Sequence, residues 1–111
     1  MTFLIDNNRI SVSIKTDDYT LALGDEGSII QMNSGDAKTF TIPTNASVAF
    51  AIGTQIRFTR KGGGTTTISG AGGVTVNSVS GHNQISSQHA VATVVKVDTD
   101  EWTLFGSLTG A

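Results

Sequence analysis

An all-β fold, a compact antiparallel β-sandwich or jelly-roll-like domain, is what this sequence predicts, and three observations carry the expectation. The 111 residues include 13 glycines and a single proline among many threonines, serines and valines, a composition suited to short strands and tight turns. Apolar residues recur at every second position in several stretches, the period of a strand with one buried face. No stretch long enough for a substantial helix places its apolar residues three and four apart. A chain of this length buries roughly two thirds of its unfolded surface, enough for one core and not for two.

Thr2, Phe3, Leu4 and Ile5 read as a short strand or an apolar arm, followed by the turn cluster Asp6-Asn7-Asn8. Ile10, Val12 and Ile14 alternate with Arg9, Ser11, Ser13 and Lys15, predicting a half-buried strand that Thr16-Asp17-Asp18 breaks. Residues 1–18 are therefore taken as an N-terminal arm with a first strand, and 19–111 as the β domain. Tyr19 to Leu23 is the next expected strand; Gly24 to Gly27 is a tight connection, and Ser28 to Asn33 is expected to pair back on it.

The stretch from Thr39 to Arg60 is the centre of the domain. Phe40 and Ile42 alternate with Thr39 and Thr41, and Pro43 closes the strand because it has no N–H for a ladder. Val48, Phe50 and Ile52 resume alternation, so the link is expected to return to the core. Gly53 supplies a bend, and Ile56 and Phe58 restart an inward face with Gln55, Arg57 and Thr59 outward.

Lys61-Gly62-Gly63-Gly64 invites comparison with a phosphate-cradling loop, but such a loop needs Gly-Lys-Ser/Thr running into a helix, and Thr65 to Ile68 is β-branched. A glycine-rich hairpin is expected here, and a second turn at Gly70 to Gly73. Ser78 to Ser87 reads as an exposed polar loop. Ala90 to Val97 reads as a central strand buried on both faces. Asp98 to Glu101 forms a hairpin tip, and Trp102, Leu104 and Phe105 return to the core.

The charge balance, seven basic against nine acidic side chains, carries no cationic cluster of the kind that displaces phosphate counterions, so no nucleic-acid partner is expected. No membrane partner is expected either, because no apolar run is long enough to span. With no cysteine there is neither disulfide nor thiolate metal site. His82 and His89 stand seven apart in a stretch that is not helical, and the acidic turn Asp98 to Glu101 has no second ligand-bearing arm, so no metal or other cofactor is expected. Carboxylates scattered over turns, and the lack of a glycine-flanked nucleophile, give no catalytic set. The chain is not expected to be an enzyme.

The pattern Thr41-Ile42-Pro43, then Ser47 to Phe50, then Gly53-Thr54-Gln55-Ile56 resembles a small β domain of tailed-bacteriophage virion surface proteins, which occurs in capsid decoration (cement), head-fibre and tail-fibre proteins. The likeness extends to Tyr19, Leu21, Leu23, Gly27 and Met32-Asn33 upstream, and to Gly72-Gly73-Val74-Thr75 and Trp102 downstream. It covers Tyr19 to Gly106. The residues that carry it are Thr41, Pro43, Phe50, Gly53, Gln55 and Trp102.

The resemblance implies a virion structural protein and a homotrimer. Only 18 residues precede the matching region, so a stand-alone module with a short arm is expected, and no fibre shaft. That suits a head decoration protein, made in the host cytoplasm and carried on the outer capsid surface, with the major capsid protein and its own copies as partners. Thr2, Phe3, Leu4 and Ile5 are the expected capsid-binding residues. The alternative is a fibre or receptor-binding module of the tail, which would need an exposed aromatic platform; the aromatics fall mostly on expected inward faces.

Overall fold

A computed structural model describes residues 9–110, so the arm residues Thr2, Phe3, Leu4 and Ile5 lie outside the described residues. Among the described residues the fold is all-β, with two sheets and two three-residue 3-10 turns, Leu23–Asp25 and Val79–Gly81. Eleven strands follow in chain order: β1 (Val12–Lys15), β2 (Tyr19–Thr20), β3 (Ile29–Met32), β4 (Lys38–Ile42), β5 (Gln55–Arg60), β6 (Thr66–Gly70), β7 (Thr75–Asn77), β8 (Gln84–Ile85), β9 (Val91–Asp98), β10 (Glu101–Gly106) and β11 (Leu108–Thr109). Sheet A has the order β1-β3-β5-β9-β10-β7, and sheet B the order β11-β8-β6-β4-β2.

The expected antiparallel pairing is wrong for the first half of the chain. Successive strands β1 to β6 alternate between the sheets, so β1, β3 and β5 run parallel in sheet A, while β2, β4 and β6 run parallel in sheet B. The result is three stacked coils. Ser28 to Asn33 therefore does not pair back on Tyr19 to Leu23, and the two halves of Thr39 to Arg60 lie in opposite sheets. Antiparallel pairing enters with β9, which joins β5 to β10, and with β8, which joins β6 to β11. β7 then adds to β10 in parallel. Strands of one sheet separated by a strand of the other share a period-two pattern with a hairpin, and sequence alternation does not distinguish them.

The corners of the coils explain the glycines at 62 and 64. Lys61 to Gly64 is a crossing from sheet A to sheet B, stacked on the preceding corner: Lys61 and Gly62 N–H donate to Met32 O, and Gly64 N–H donates to Ser34 O at 2.9 Å. A Cβ at Gly62 would run into the Ser34 backbone and one at Gly64 into the Asp36 carbonyl. Close approach of backbones, and not a hairpin, selects glycine here. The next corner outward is held by side chains: Asp18 Oδ1 accepts from Thr39 N–H, and Lys38 Nζ lies 2.9 Å from Asp17 Oδ1. Gly70 to Gly73 likewise carries the chain between sheets.

The core lies between the sheets. Phe40, Ile42, Ile68, Ile85 and Leu21 from one side meet Ile30, Met32, Ile56, Phe58, Ala92, Val94, Trp102 and Leu104 from the other. Phe40 and Phe58 rings stack at 4.7 Å, and Phe50 meets Trp102 edge to face at 5.6 Å. Four expected core positions are instead exposed. Ile52 is 65% accessible at the tip of the link, and Phe105 is 50% accessible. Because Trp102 and Leu104 point inward, alternation forces Phe105 out. Val91 and Val97, on the outer face of β9, are also exposed, so that strand is buried fully on one face only. Ser78 to Ser87 is no simple loop, since it contains the turn Val79–Gly81 and strand β8 with Ile85 fully buried.

Candidate assembly surface

The outer faces of the two sheets have opposite chemistry. In sheet B, the core takes Phe40, Ile42, Ile68 and Ile85, so the alternate positions face out. Register aligns Thr20, Thr41 and Ser69 in one row and Thr39, Thr67, Gln84 and Thr109 in the next. This is a neutral hydroxyl and amide surface that water solvates well.

Sheet A is the reverse. Ile30, Met32, Ile56, Phe58, Val94, Trp102 and Leu104 fill the core, and register aligns Val12, Ile29, Arg57, Thr93 and Phe105 across the outer face. The adjacent row is Ile14, Gln31, Thr59 and Val91. Two apolar lobes result, separated by the polar positions of β5. One lobe, at the β1 edge, has Val12 62% and Ile14 54% accessible, with Ile10 and half-buried Ile29 beside them. The other, on β9 and β10, has exposed Val91, Val97 and Phe105 around half-buried Val95. The first strand thus points its apolar side to solvent and not to the core, reversing the expected half-burial. The core face of β1 is taken by Ser13 and Lys15, whose Nζ lies 4.1 Å over the Tyr19 ring.

Beside Phe105, a groove of about 360 Å³ is lined by Val79, His82, Leu104, Phe105, Gly106 and Leu108. It opens where β7 stops: β7 covers Glu101 to Thr103 of β10, and the sheet order places no strand beyond. Val79, 79% accessible, forms its far wall. On sequence the exposed side chains of the β9/β10 lobe are expected in the core, whereas Ile10 to Ile14 are a candidate capsid contact beside the arm. Strict alternation around Trp102 and Leu104, and an isolated valine in a polar loop, were the available signals.

The motif residues serve the interior and its connections. Pro43 is buried after β4, Gly53 takes φ 95° in the bend before β5, and Phe50 closes on Trp102. Pro43, Phe50 and Gly53 belong to the link that crosses between the sheets, and Phe50 brings it onto Trp102. Thr41 and Gln55 stand apart from that contact, on the outer faces of sheets B and A. The link is tied down by Lys96, 2% accessible on β9, whose Nζ donates to Asn45 Oδ1 at 2.7 Å and Phe50 O at 2.8 Å. Asp100 Oδ1 accepts from Asn45 N–H at 2.8 Å.

A second tie holds the turn at Leu23–Asp25. The Asp25 carboxylate accepts from Tyr19 Oη and Ala22 N–H, both at 2.8 Å. Burial, then the hydrogen bond to Asp25, pushes the Tyr19 phenol up to about 12. At the exposed Asp17–Lys38 pair the hydrogen bond lowers the carboxyl and raises the ammonium. Among the described residues no three His, Asp or Glu side chains gather as metal ligands, and no helix is long and apolar enough to cross a membrane.

Comparison with protein-family models, with curated proteins and with solved structures returns no match to this chain.

Proposed function

We propose that this chain is a structural protein of a bacteriophage virion: a head decoration (cement) protein that binds the outside of the capsid as a homotrimer and stabilises it. The observation that carries the reading is the apolar outer face of sheet A on a domain whose other outer face is hydroxyl-rich. A small domain that leaves aliphatic and aromatic side chains in water on one face gains stability when that face is covered. The resemblance carried by Thr41-Ile42-Pro43, Phe50, Gly53, Gln55 and Trp102 supplies the biological setting.

In this reading Thr2, Phe3, Leu4 and Ile5 of each copy lie on the major capsid protein. Three arms per trimer, each binding weakly, act together, because attachment of one raises the effective concentration of the others. Bridging neighbouring capsid subunits then resists outward pressure from packaged DNA. The experiment is co-sedimentation of the purified chain with heads that lack it, titrated to saturation. A fixed ratio of chain to major capsid protein supports the reading; no association with heads overturns it.

One observation favours the alternative of a tail-fibre or receptor-binding module. Phe105, half exposed beside His82 in the groove, is the aromatic platform that such a site needs. In that case the chain adsorbs to host cells and ignores heads.

A further inference from the structure

We infer that copies of this chain meet edge to edge through sheet A, the β1/β3 lobe of one copy packing on the β9/β10 lobe of the next to close a ring. That the ring has three members rests on the assembly proposed above; the pairing of the two lobes rests on the sheet itself.

The argument begins with area. Ile10, Val12, Ile14, Val91, Val97 and Phe105, at 40% to 62% accessible, together leave on the order of 500 Å² of apolar surface in water, divided between the two lobes. In a ring each copy contributes one lobe to each of its two neighbours, so both lobes are covered. The hydroxyl rows of sheet B offer no comparable apolar area. A second copy carrying the complementary lobe is therefore matched in chemistry to this face, and to no other outer face of the sheets.

The layout then selects the kind of symmetry. Two copies stacked face to face would bury the whole of sheet A, including the Arg57 guanidinium and the Gln31 and Gln55 amides on its centre. Burying those groups against apolar partners costs free energy, and most of all for the charge. A ring avoids that cost. When each sheet turns its outer face toward a common axis, the β1/β3 lobe at one edge meets the β9/β10 lobe of the neighbour where β7 ends and leaves β10 uncovered, and the β5 stripe faces the hydrated space between copies.

Such an axis runs along the strands, and rotation about it keeps each cross-strand row at its own height. Val12 and Phe105 are the two ends of one row, so Val12 of one copy comes opposite Phe105 of the next. The edges are chemically different, which makes the contact heterologous, and a heterologous contact closes into a ring when its rotation allows. The groove beside Phe105 extends the receiving lobe with Leu104, Leu108 and Val79.

The test uses the full chain, which has no cysteine of its own. Val12→Cys and Phe105→Cys are introduced singly and together, treated with a short bis-maleimide, and separated on a denaturing gel. The double variant is expected to give a ladder ending at a closed trimer, and each single variant a single-chain band. Bands of two chains from either single variant alone would show like edges meeting and overturn the ring. In parallel, native mass is measured for Val12→Glu, Phe105→Glu and, on sheet B, Thr67→Glu. The first two are expected to weaken association by about 100-fold or more, with Thr67→Glu unchanged. An oligomer that persists in both would overturn this surface while leaving the proposed assembly standing. A single-chain mass for the unsubstituted protein would overturn the assembly and the ring together.

Discussion

Lys96 Nζ, buried between the sheets, donates a hydrogen bond to the Asn45 side-chain oxygen 2.7 Å away. The two residues lie 51 positions apart, and their contact fixes the link between β4 and β5 against the longest strand. The second bond of the ammonium, to Phe50 O, holds the same link one turn further on. Lys96→Ala removes both and leaves two acceptors facing a cavity, with an expected loss of roughly 2–4 kcal/mol in unfolding free energy. Lys96→Met refills most of the volume and is expected to cost about half as much. Chemical denaturation of the three proteins measures the difference; equal stability of Lys96→Ala and the parent would show that the tie carries no load.

Trp102 packs edge to face on Phe50 and is 1% accessible. Trp102→Ala is expected to cost about 3–5 kcal/mol, and Trp102→Phe clearly less, because a ring of any kind keeps part of the contact. The chain has a single tryptophan, so its fluorescence reports the integrity of this contact directly during unfolding of the parent.

Gly64 sits where one coil corner rests on the next, with no room for a Cβ beside the Asp36 carbonyl. Gly64→Ala is expected to lower stability by about 2 kcal/mol or more, whereas Gly63→Ala, which meets nothing, stays close to the parent. Thermal midpoints of the pair decide the matter. Equal midpoints would mean that the corners are not stacked as described.

Alkaline pH tests the Tyr19–Asp25 tie. The phenol titrates at about 12 in the folded chain, above its ordinary value of 10.0. Its contribution to stability is therefore complete below pH about 10, where folded and unfolded chains are both protonated. It is lost as pH rises from there through about 12, because the unfolded chain releases the proton first. The measurement is the difference between the parent and Tyr19→Phe, which isolates the phenol. That difference is expected to shrink as pH climbs above 10; a constant gap would exclude the tie.

Removal of residues 1–6 separates attachment from assembly. The truncated chain is expected to keep its β spectrum and native oligomer and to lose saturable binding to heads. Unchanged binding would remove Thr2, Phe3, Leu4 and Ile5 from the contact with the capsid.

Several elements were legible in the sequence, and the reasons are local. Strands β4 and β5 follow from alternation around Phe40 and Ile56, β9 from its continuous apolar run, β10 from the apolar return after the acidic turn, and the turn at Thr99 and Asp100 from its polar composition. The candidate surface was less legible. The alternation of Ile10, Val12 and Ile14 is present, but a period of two says only that these residues share a face; it carries no sign telling which face is the core. In most strands the apolar side turns inward. In β1 it turns outward, and the inward positions are Ser13 and Lys15, whose ammonium lies over the Tyr19 ring.

By itself the sequence determined the class of structure, the main strands, the proline and glycine corners of the central link, and the separate burial of Phe50 and of Trp102. Each depends on a residue and its near neighbours. The tertiary structure alone decided that β1 to β6 wind as parallel coils, that Gly62 and Gly64 are demanded by stacked corners, and that Lys96 reaches Asn45. It also decided that Val12 and Phe105 stand at opposite ends of one row. Those relations join positions dozens of residues apart, and the energy that selects them comes from backbone ladders and side-chain packing that form only when the strands are brought together.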